Sequence, residues 1–200
     1  MPPKRCYDGA RLSEAAEEAA KRYQTLFGSG LACEYDGVVG GGGLTRTATV
    51  QFSWRVDGSE EKVQVRCDNA CARGVPLPAQ LQSLLRRKFL DRAAKKAARV
   101  AQTSFGTDAV WTCKYVGGPE SDNLKNTSKV HFSWHMVVGE FEKTHVATVR
   151  CDHACARGVP CPTELKEAYG RRRLTMVAEL SQTVARESCG AGPNLTCRSL

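Results

Sequence analysis

Apolar and polar positions alternate along the chain with two different periods, and the period changes in a repeating order. At about 100° per residue, Leu12, Ala15, Ala16, Ala19, Ala20, Tyr23, Leu26 and Phe27 fall on one face, with Glu14, Glu17, Glu18, Lys21 and Gln24 on the other. This predicts an amphipathic helix over 12–27, with Ser13 as its cap and Gly28 as its stop. Short strands are predicted at 31–35 and 109–115. Val50, Phe52, Trp54 and Val56 then alternate with Gln51, Ser53, Arg55 and Asp57, the period of a half-buried strand. Asp57-Gly58 is a turn signal, after which Val63, Val65 and Cys67 are expected to point inward. Val130, Phe132 and Trp134, followed by Ala147, Val149 and Cys151, repeat the pattern, and both tryptophans are expected in a core. The glycine-rich and polar stretches VVGGGGLTRT and GGPESDNLKNTS are predicted to be hairpin loops.

The same order also appears as sequence identity. Residues 66–78, RCDNACARGVPLP, return at 150–162 as RCDHACARGVPCP, with 11 of 13 positions identical. VQFSW at 50–54 returns as VHFSW at 130–134, and AAEEAAKRYQTLFG at 15–28 matches AAKKAARVAQTSFG at 93–106 in 8 of 14 positions. The offsets are 84, 80 and 78 residues, so length changes only between Gly28 and Cys33 and between Trp54 and Arg66. Both places are expected to be loops, where insertions are tolerated. A duplicated chain follows, with units at 1–90 and 91–178. The tail, 179–200, contains a faint third echo, CGAGPNLTC against FGTDAVWTC.

Pro78 and Pro162 suit the first turn of a helix, and 78–105 has no strong breaker. Leu81, Leu84, Leu85 and Phe89 share one face of that segment, whereas Ala93, Ala97, Val100 and Ala101 share roughly the opposite one. The apolar side therefore flips near Leu90: the first half should close one unit and the second half should open the next. The expected fold is α+β, two tandem repeats of helix, three-stranded antiparallel sheet and helix, joined by a long central helical segment. Each small sheet has exposed edges, so the two are expected to join edge to edge.

That order of elements resembles both the double-stranded-RNA-binding domain and the Alu-binding proteins of the signal recognition particle. Tyr35-Asp36-Gly37 followed by Arg55-Val56-Asp57-Gly58 is similar to the strand ends of the latter family. The resemblance covers each repeat loosely and implies a three-stranded sheet backed by two helices. In place of the lysine-rich helix start of the double-stranded-RNA-binding domain stands ARGVPLP.

Composition narrows the function. The 200 residues are 42% hydrophobic and 25% charged, with no apolar run near the length of a membrane span. The amino-terminal stretch lacks the apolar core of a secretory signal, so an intracellular, soluble location is expected and the ten cysteines are read as thiols. Cys33, Cys67, Cys71, Cys113, Cys151 and Cys155 form two matched sets of three, expected to be structural and buried. A metal site would need a fourth ligand, and all four histidines lie in the second repeat. No metal, cofactor or catalytic residue is expected, because no nucleophile-base pairing common to both repeats or nucleotide loop is present. Asp68 and Asp152 are expected to begin turns, with Arg73 and Arg157 pairing with them or meeting a partner. Gly74 and Gly158 are expected to supply an unusual backbone angle.

Charge is the remaining signal. The net charge is +8, and 78–105 holds seven basic residues, Arg86, Arg87, Lys88, Arg92, Lys95, Lys96 and Arg99, against the single acid Asp91. Arg171, Arg172 and Arg173 add to this in the second copy, and Arg66 and Arg150 to the sheet faces. These side chains are the candidate contacts for a partner protein, or for RNA or another acidic polymer. The expected function is a non-catalytic structural or adaptor subunit of a larger assembly; the alternative is an RNA- or DNA-binding protein.

Overall fold

The structure, a computed structural model, describes residues 8–28, 30–118 and 124–190. The tail echo at 189–197 lies outside them from 191 onward, as do 1–7. The elements run α1 (Gly9–Phe27), β1 (Leu31–Val38), β2 (Thr49–Val56), β3 (Ser59–Arg66), α2 (Cys67–Arg73), α3 (Ala79–Phe105), β4 (Val110–Gly117), β5 (Lys129–Val138), β6 (Phe141–Arg150), α4 (Cys151–Arg157) and α5 (Thr163–Gly190). Two three-stranded antiparallel sheets result, ordered β1-β2-β3 and β4-β5-β6, giving an α+β protein.

The expected edge-to-edge joining is absent among the described residues, where no strand of one sheet is hydrogen-bonded to a strand of the other. The reason is α3, which runs unbroken through 27 residues and supplies its two halves to different cores. Leu81 and Leu85 pack with Leu12, Ala16, Val50, Phe52 and Trp54 against the first sheet. Leu90, Ala94 and Ala101 pack with Trp111, Phe132, Trp134 and Leu165 against the second. Trp54 and Trp134 are fully buried, each on the apolar face its alternation predicted.

The cap of α1 is Asp8, which accepts the Arg11 N–H at 2.9 Å; Ser13 lies a turn inside and its hydroxyl donates to the Gly9 carbonyl at 3.0 Å. The apolar stripe starts at Leu12 and so places the helix start three residues late. At the other end Gly28, at φ 93°, closes the helix. Gln24 Nε2 donates to the Leu31 carbonyl at 2.7 Å and fixes α1 to the first residue of β1. Gln102 holds the same place on α3, donating to the Ala109 carbonyl at 2.6 Å and accepting the Trp111 N–H at 3.2 Å.

Two other expectations are corrected. Cys67 and Cys151 are buried as the first residues of short helices and do not extend the third strands, which end at Arg66 and Arg150. The carbonyls of the β1–β2 loop start the first of these helices: Cys67 N–H donates to Ala48 at 2.8 Å and Asp68 N–H to Arg46 at 2.9 Å. Ser128 and Asn126 do the same for Cys151 and Asp152, at 2.8 and 2.9 Å. These bonds satisfy helix N–H groups that would otherwise lack partners. The length change between Trp54 and Arg66 is also no loop. The β5–β6 hairpin has ten residues per strand where β2–β3 has eight, and both keep a two-residue connection. The extra residues come in pairs on each strand, which preserves which side chains face the core. In the shorter hairpin Asp57 and Gly58 have φ of 45° and 84°, the backbone of a tight turn matched to strand twist.

Aligned through the repeat, Leu12, Leu90 and Leu174 are one position. The first two have no exposed surface, whereas Leu174 is 74% exposed. Leu12→Ala and Leu90→Ala should each cost about 2–5 kcal/mol, and Leu174→Ala less than about 0.5 kcal/mol. Urea unfolding of the three variants beside the parent checks this ranking.

Candidate functional site

The thirteen-residue motif folds as the end of a strand, a two-turn helix and a bend. Arg66 reaches two residues ahead and holds Asp68 through Nε–Oδ1 at 3.1 Å and Nη2–Oδ2 at 2.8 Å. Arg150 and Asp152 repeat this fork at 3.1 and 2.7 Å. Ala70, Ala154, Val75 and Val159 are buried. Gly74 and Gly158, at φ 80° and 85°, close the short helices by donating to Ala70 and Ala154, so the predicted backbone angle is present. Asp68 and Asp152 lie in the first turn of a helix instead of opening a turn, and it is Arg66 and Arg150, not Arg73 and Arg157, that hold them. Arg73 and Arg157 stand exposed in the last turns of α2 and α4, where a cation meets the negative end of the helix.

Against each motif lies a groove. The first, of about 690 Å³, is walled by α1 (Ala15, Glu18, Ala19, Arg22) and by Cys71, Arg73 and Val75. The second, of about 580 Å³, is walled by α3 (Ala93, Lys96, Ala97, Val100) and by Cys155, Arg157 and Val159. The helix residues correspond one to one at an offset of 78, and the motif residues at 84. Small alanines on the helices leave the space that both grooves occupy. Their charge differs: Glu18 in the first is Lys96 in the second, where Arg92, Arg157 and Lys166 complete a basic lining that holds no carboxylate among the described residues. A third recess, of about 490 Å³, separates the two cores and contains Phe27, Arg86, Phe89, Cys151 and Cys155.

Cys33, Cys67, Cys113 and Cys151 are buried as expected, but Cys71 is exposed and Cys155 only half-buried, because the fifth residue of each short helix turns toward the groove. The thiols also differ in acidity. Burial, with Asp36 and Glu34 nearby, pushes Cys33 up to about 12, and burial with Cys161 nearby does the same for Cys113. Burial and the neighbouring Cys71 raise Cys67 to about 11. Cys151 goes the other way, to about 7: the Cys155 thiol hydrogen-bonds to it and the Arg86 guanidinium favours its thiolate, against the desolvation that opposes charge. Cys155, as donor in that pair, is raised.

Many of the candidate basic contacts are engaged within the fold. Arg86 donates to the Leu124 carbonyl, Lys88 pairs with Asp57, and Arg87 lies near the Tyr115 phenol. Arg92 packs over the end of α1, where a Cβ on Gly28 would meet its Nη1 at 2.9 Å. Arg172 pairs with Glu179 at 3.6 Å and Arg173 with Asp108 at 3.8 Å. Arg66 and Arg150 hold their aspartates. Lys95, Lys96, Arg99 and Arg171 are exposed. Among the described residues no group of three or more His, Cys, Asp or Glu side chains is arranged to hold a metal ion. No helix among them is long and apolar enough to cross a membrane.

Sequence reasoning missed two features. One is the closeness of Arg86 to Cys151 across the two cores, a long-range contact whose only trace is the offset of 78 that aligns Arg86 with Asp8. The other is a stripe of exposed apolar residues on α5, Leu174, Val177, Leu180 and Val184, each more than half exposed. Its spacing of three, three and four was visible in the chain. Comparison with protein-family models, with curated proteins and with solved structures finds no match for this chain.

The arginine forks set an acid sensitivity. Asp68 is held below the usual carboxylate range by Arg66, which outweighs the desolvation pushing it up, and Asp152 by its hydrogen bonds from Arg150. A depressed folded pKa contributes stability that is fully present above the unfolded value of about 3.9. It is lost as pH falls through the lower folded value. Arg66→Gln combined with Arg150→Gln should therefore flatten the fall in stability below about pH 4. Urea midpoints measured between neutral pH and acid, for parent and variant, read this directly.

Proposed function

We propose that this protein is a non-catalytic structural or adaptor subunit of a larger assembly, built from two tandem α+β units at 1–90 and 91–178. The carrying observation is the second half of α5. Every residue from Val177 to Glu187 is exposed, and Leu174, Val177, Leu180 and Val184 form an apolar stripe along it. On α1 and α3 the residues aligned with Leu174 are Leu12 and Leu90, both buried against a sheet, while those aligned with Val177 are the half-buried Ala15 and Ala93. Four apolar side chains exposed along one helix face form a surface for another polypeptide. Leu180 strengthens the reading, because its aligned positions on the covered helices are the charged Glu18 and Lys96.

A second reading, binding of RNA, DNA or another acidic polymer, is favoured by one observation, the groove walled by Arg92, Lys96, Arg157 and Lys166. It ranks lower because six of the basic side chains proposed from sequence form salt bridges or carbonyl hydrogen bonds inside the chain.

Affinity capture with the full chain and with Leu174→Glu/Leu180→Glu separates the readings. The parent should retain protein partners that the variant loses, while both give the same circular dichroism, since neither leucine is buried. Equal retention by the two overturns the docking role of α5. Titration with RNA and DNA at about 50 and about 200 mM salt completes the test. Micromolar binding that falls steeply with salt and is lost in Lys96→Glu would replace the adaptor reading with the second.

A further inference from the structure

The two grooves beside the repeated motif differ in depth as well as in charge. In the first, Tyr23 forms part of the floor and lies edge-on to the Trp54 indole, with ring centroids 5.6 Å apart. The residue aligned with Tyr23 is Ala101. Without the phenol ring the second groove opens down to Trp134, the counterpart of Trp54. Two more positions change in the same direction: Arg22 of the first groove is Val100 in the second, and Arg11 is Phe89.

The cations of the second groove stand at other positions. Glu14 is replaced by Arg92, Glu18 by Lys96 and Gln82 by Lys166, while Arg157 keeps the place of Arg73. Among the described residues none of these four cations has a carboxylate within salt-bridge distance. Charge and apolar surface are also separated along the groove. Phe89 and Phe105 lie about 24 Å apart on α3. Arg92 and Lys96 follow Phe89, and Val100, Ala101 and Phe105 continue to the other end. The groove's volume of about 580 Å³ falls within the range of about 300–1,000 Å³ that small-molecule sites occupy.

We propose that the groove of the second repeat binds an amphipathic organic anion of the fatty-acid class, with its carboxylate at Arg92 and Lys96 and its hydrocarbon chain along Val100 and Ala101 toward Phe105. The proposal goes beyond the adaptor reading, which rests on α5, and does not depend on it. Each half of such a ligand meets the matching half of the groove. The cations replace water around the carboxylate, and the alanines, Val100 and the apolar stems of the lysines remove the chain from water. A nucleic acid would use the same cations but leave the apolar end unfilled. The first repeat, built on the same frame, lacks both halves: Glu18 repels the carboxylate and Tyr23 fills the floor.

Calorimetric titration of the full chain with octanoate, decanoate and 1-decanol, each below its micellar or solubility limit, reads the two halves separately. One decanoate should bind per chain, at least about fivefold more tightly than octanoate, because two further methylenes leave water. It should bind at least about tenfold more tightly than 1-decanol, which lacks the charge. Lys96→Glu, the residue of the first repeat, should weaken decanoate at least about tenfold and leave 1-decanol unchanged. Val100→Gln should weaken both at least about threefold. Lys96 and Val100 are exposed, so neither change removes a core side chain. Leu174→Glu/Leu180→Glu should bind decanoate as the parent does, which separates this site from the stripe on α5. Equal affinity for octanoate and decanoate marks a bare anion site, and equal affinity for decanoate and 1-decanol a bare apolar one; either result overturns the proposal. So does the absence of saturable binding, unchanged decanoate affinity in Lys96→Glu or Val100→Gln, or its loss in the α5 variant.

Discussion

Each three-stranded sheet buries one face only, and that face is wider than a single helix can cover. Two helices are needed per sheet, and α3 provides one to each. Leu85 belongs to the first core and Leu90 to the second. Five residues along a helix of 3.6 residues per turn place them about 140° apart. One straight helix can thus serve two cores without a kink, provided its apolar stripe changes side between those leucines. Breaking it there would expose up to four carbonyls and four N–H groups that now bond within the helix. Continuity of α3 is therefore the constraint from which the separation of the sheets follows.

The same constraint explains the charge. Where α3 passes from one core to the other, it faces neither sheet fully, and its long basic side chains tie the neighbouring segments together. Lys88 fixes the β2–β3 turn through Asp57, Arg92 covers the carboxyl end of α1, and Arg86 bonds the Leu124 carbonyl before β5. A cation at the carboxyl end of a helix is favourable on its own account. The dense basic run between 86 and 92 is in large part mortar between two cores. Only beyond it, at Lys95, Lys96 and Arg99, does charge stand free of the core boundary.

Periodicity made the long elements legible. The wheel of α1, the alternation in β2 and β5, the turn at Asp57-Gly58 and the flip near Leu90 all correspond to structure, because burial on one face imposes a period that residues keep. What was not legible lacks a period. The two-turn helices at 67–73 and 151–157 are too short to show one, and they start where loop carbonyls meet the Cys67 and Asp68 amides, contacts between residues about twenty apart. The lengthened β5–β6 hairpin looked like a loop insertion because an offset records how many residues were added and not whether they pair. Of the candidate site, the motif and its glycine angle were visible in sequence. The meeting of Arg86 with Cys151 was not, since 65 residues separate them and only the folded course of α3 joins them.

The repeated motif is nearly identical in its two copies, which draws the eye to it as the bearer of function. Its interior accounts for most of that identity: the arginine fork, the buried cysteine and alanine, the glycine that closes the helix and the buried valine each do a packing or hydrogen-bonding task. Difference between the copies lies instead on the helix that faces the motif. Asp8 stands where the second copy has Arg86, Glu18 where it has Lys96, Arg22 where it has Val100. The first sets a guanidinium beside one of two matched thiol pairs, and the second, together with Arg92 in place of Glu14, makes one groove basic although the third removes a cation from it. The motif acts as a common frame and the opposing helix sets its chemistry. Identity between repeats thus marks what holds the groove in shape, and the divergent positions facing it mark what the groove does.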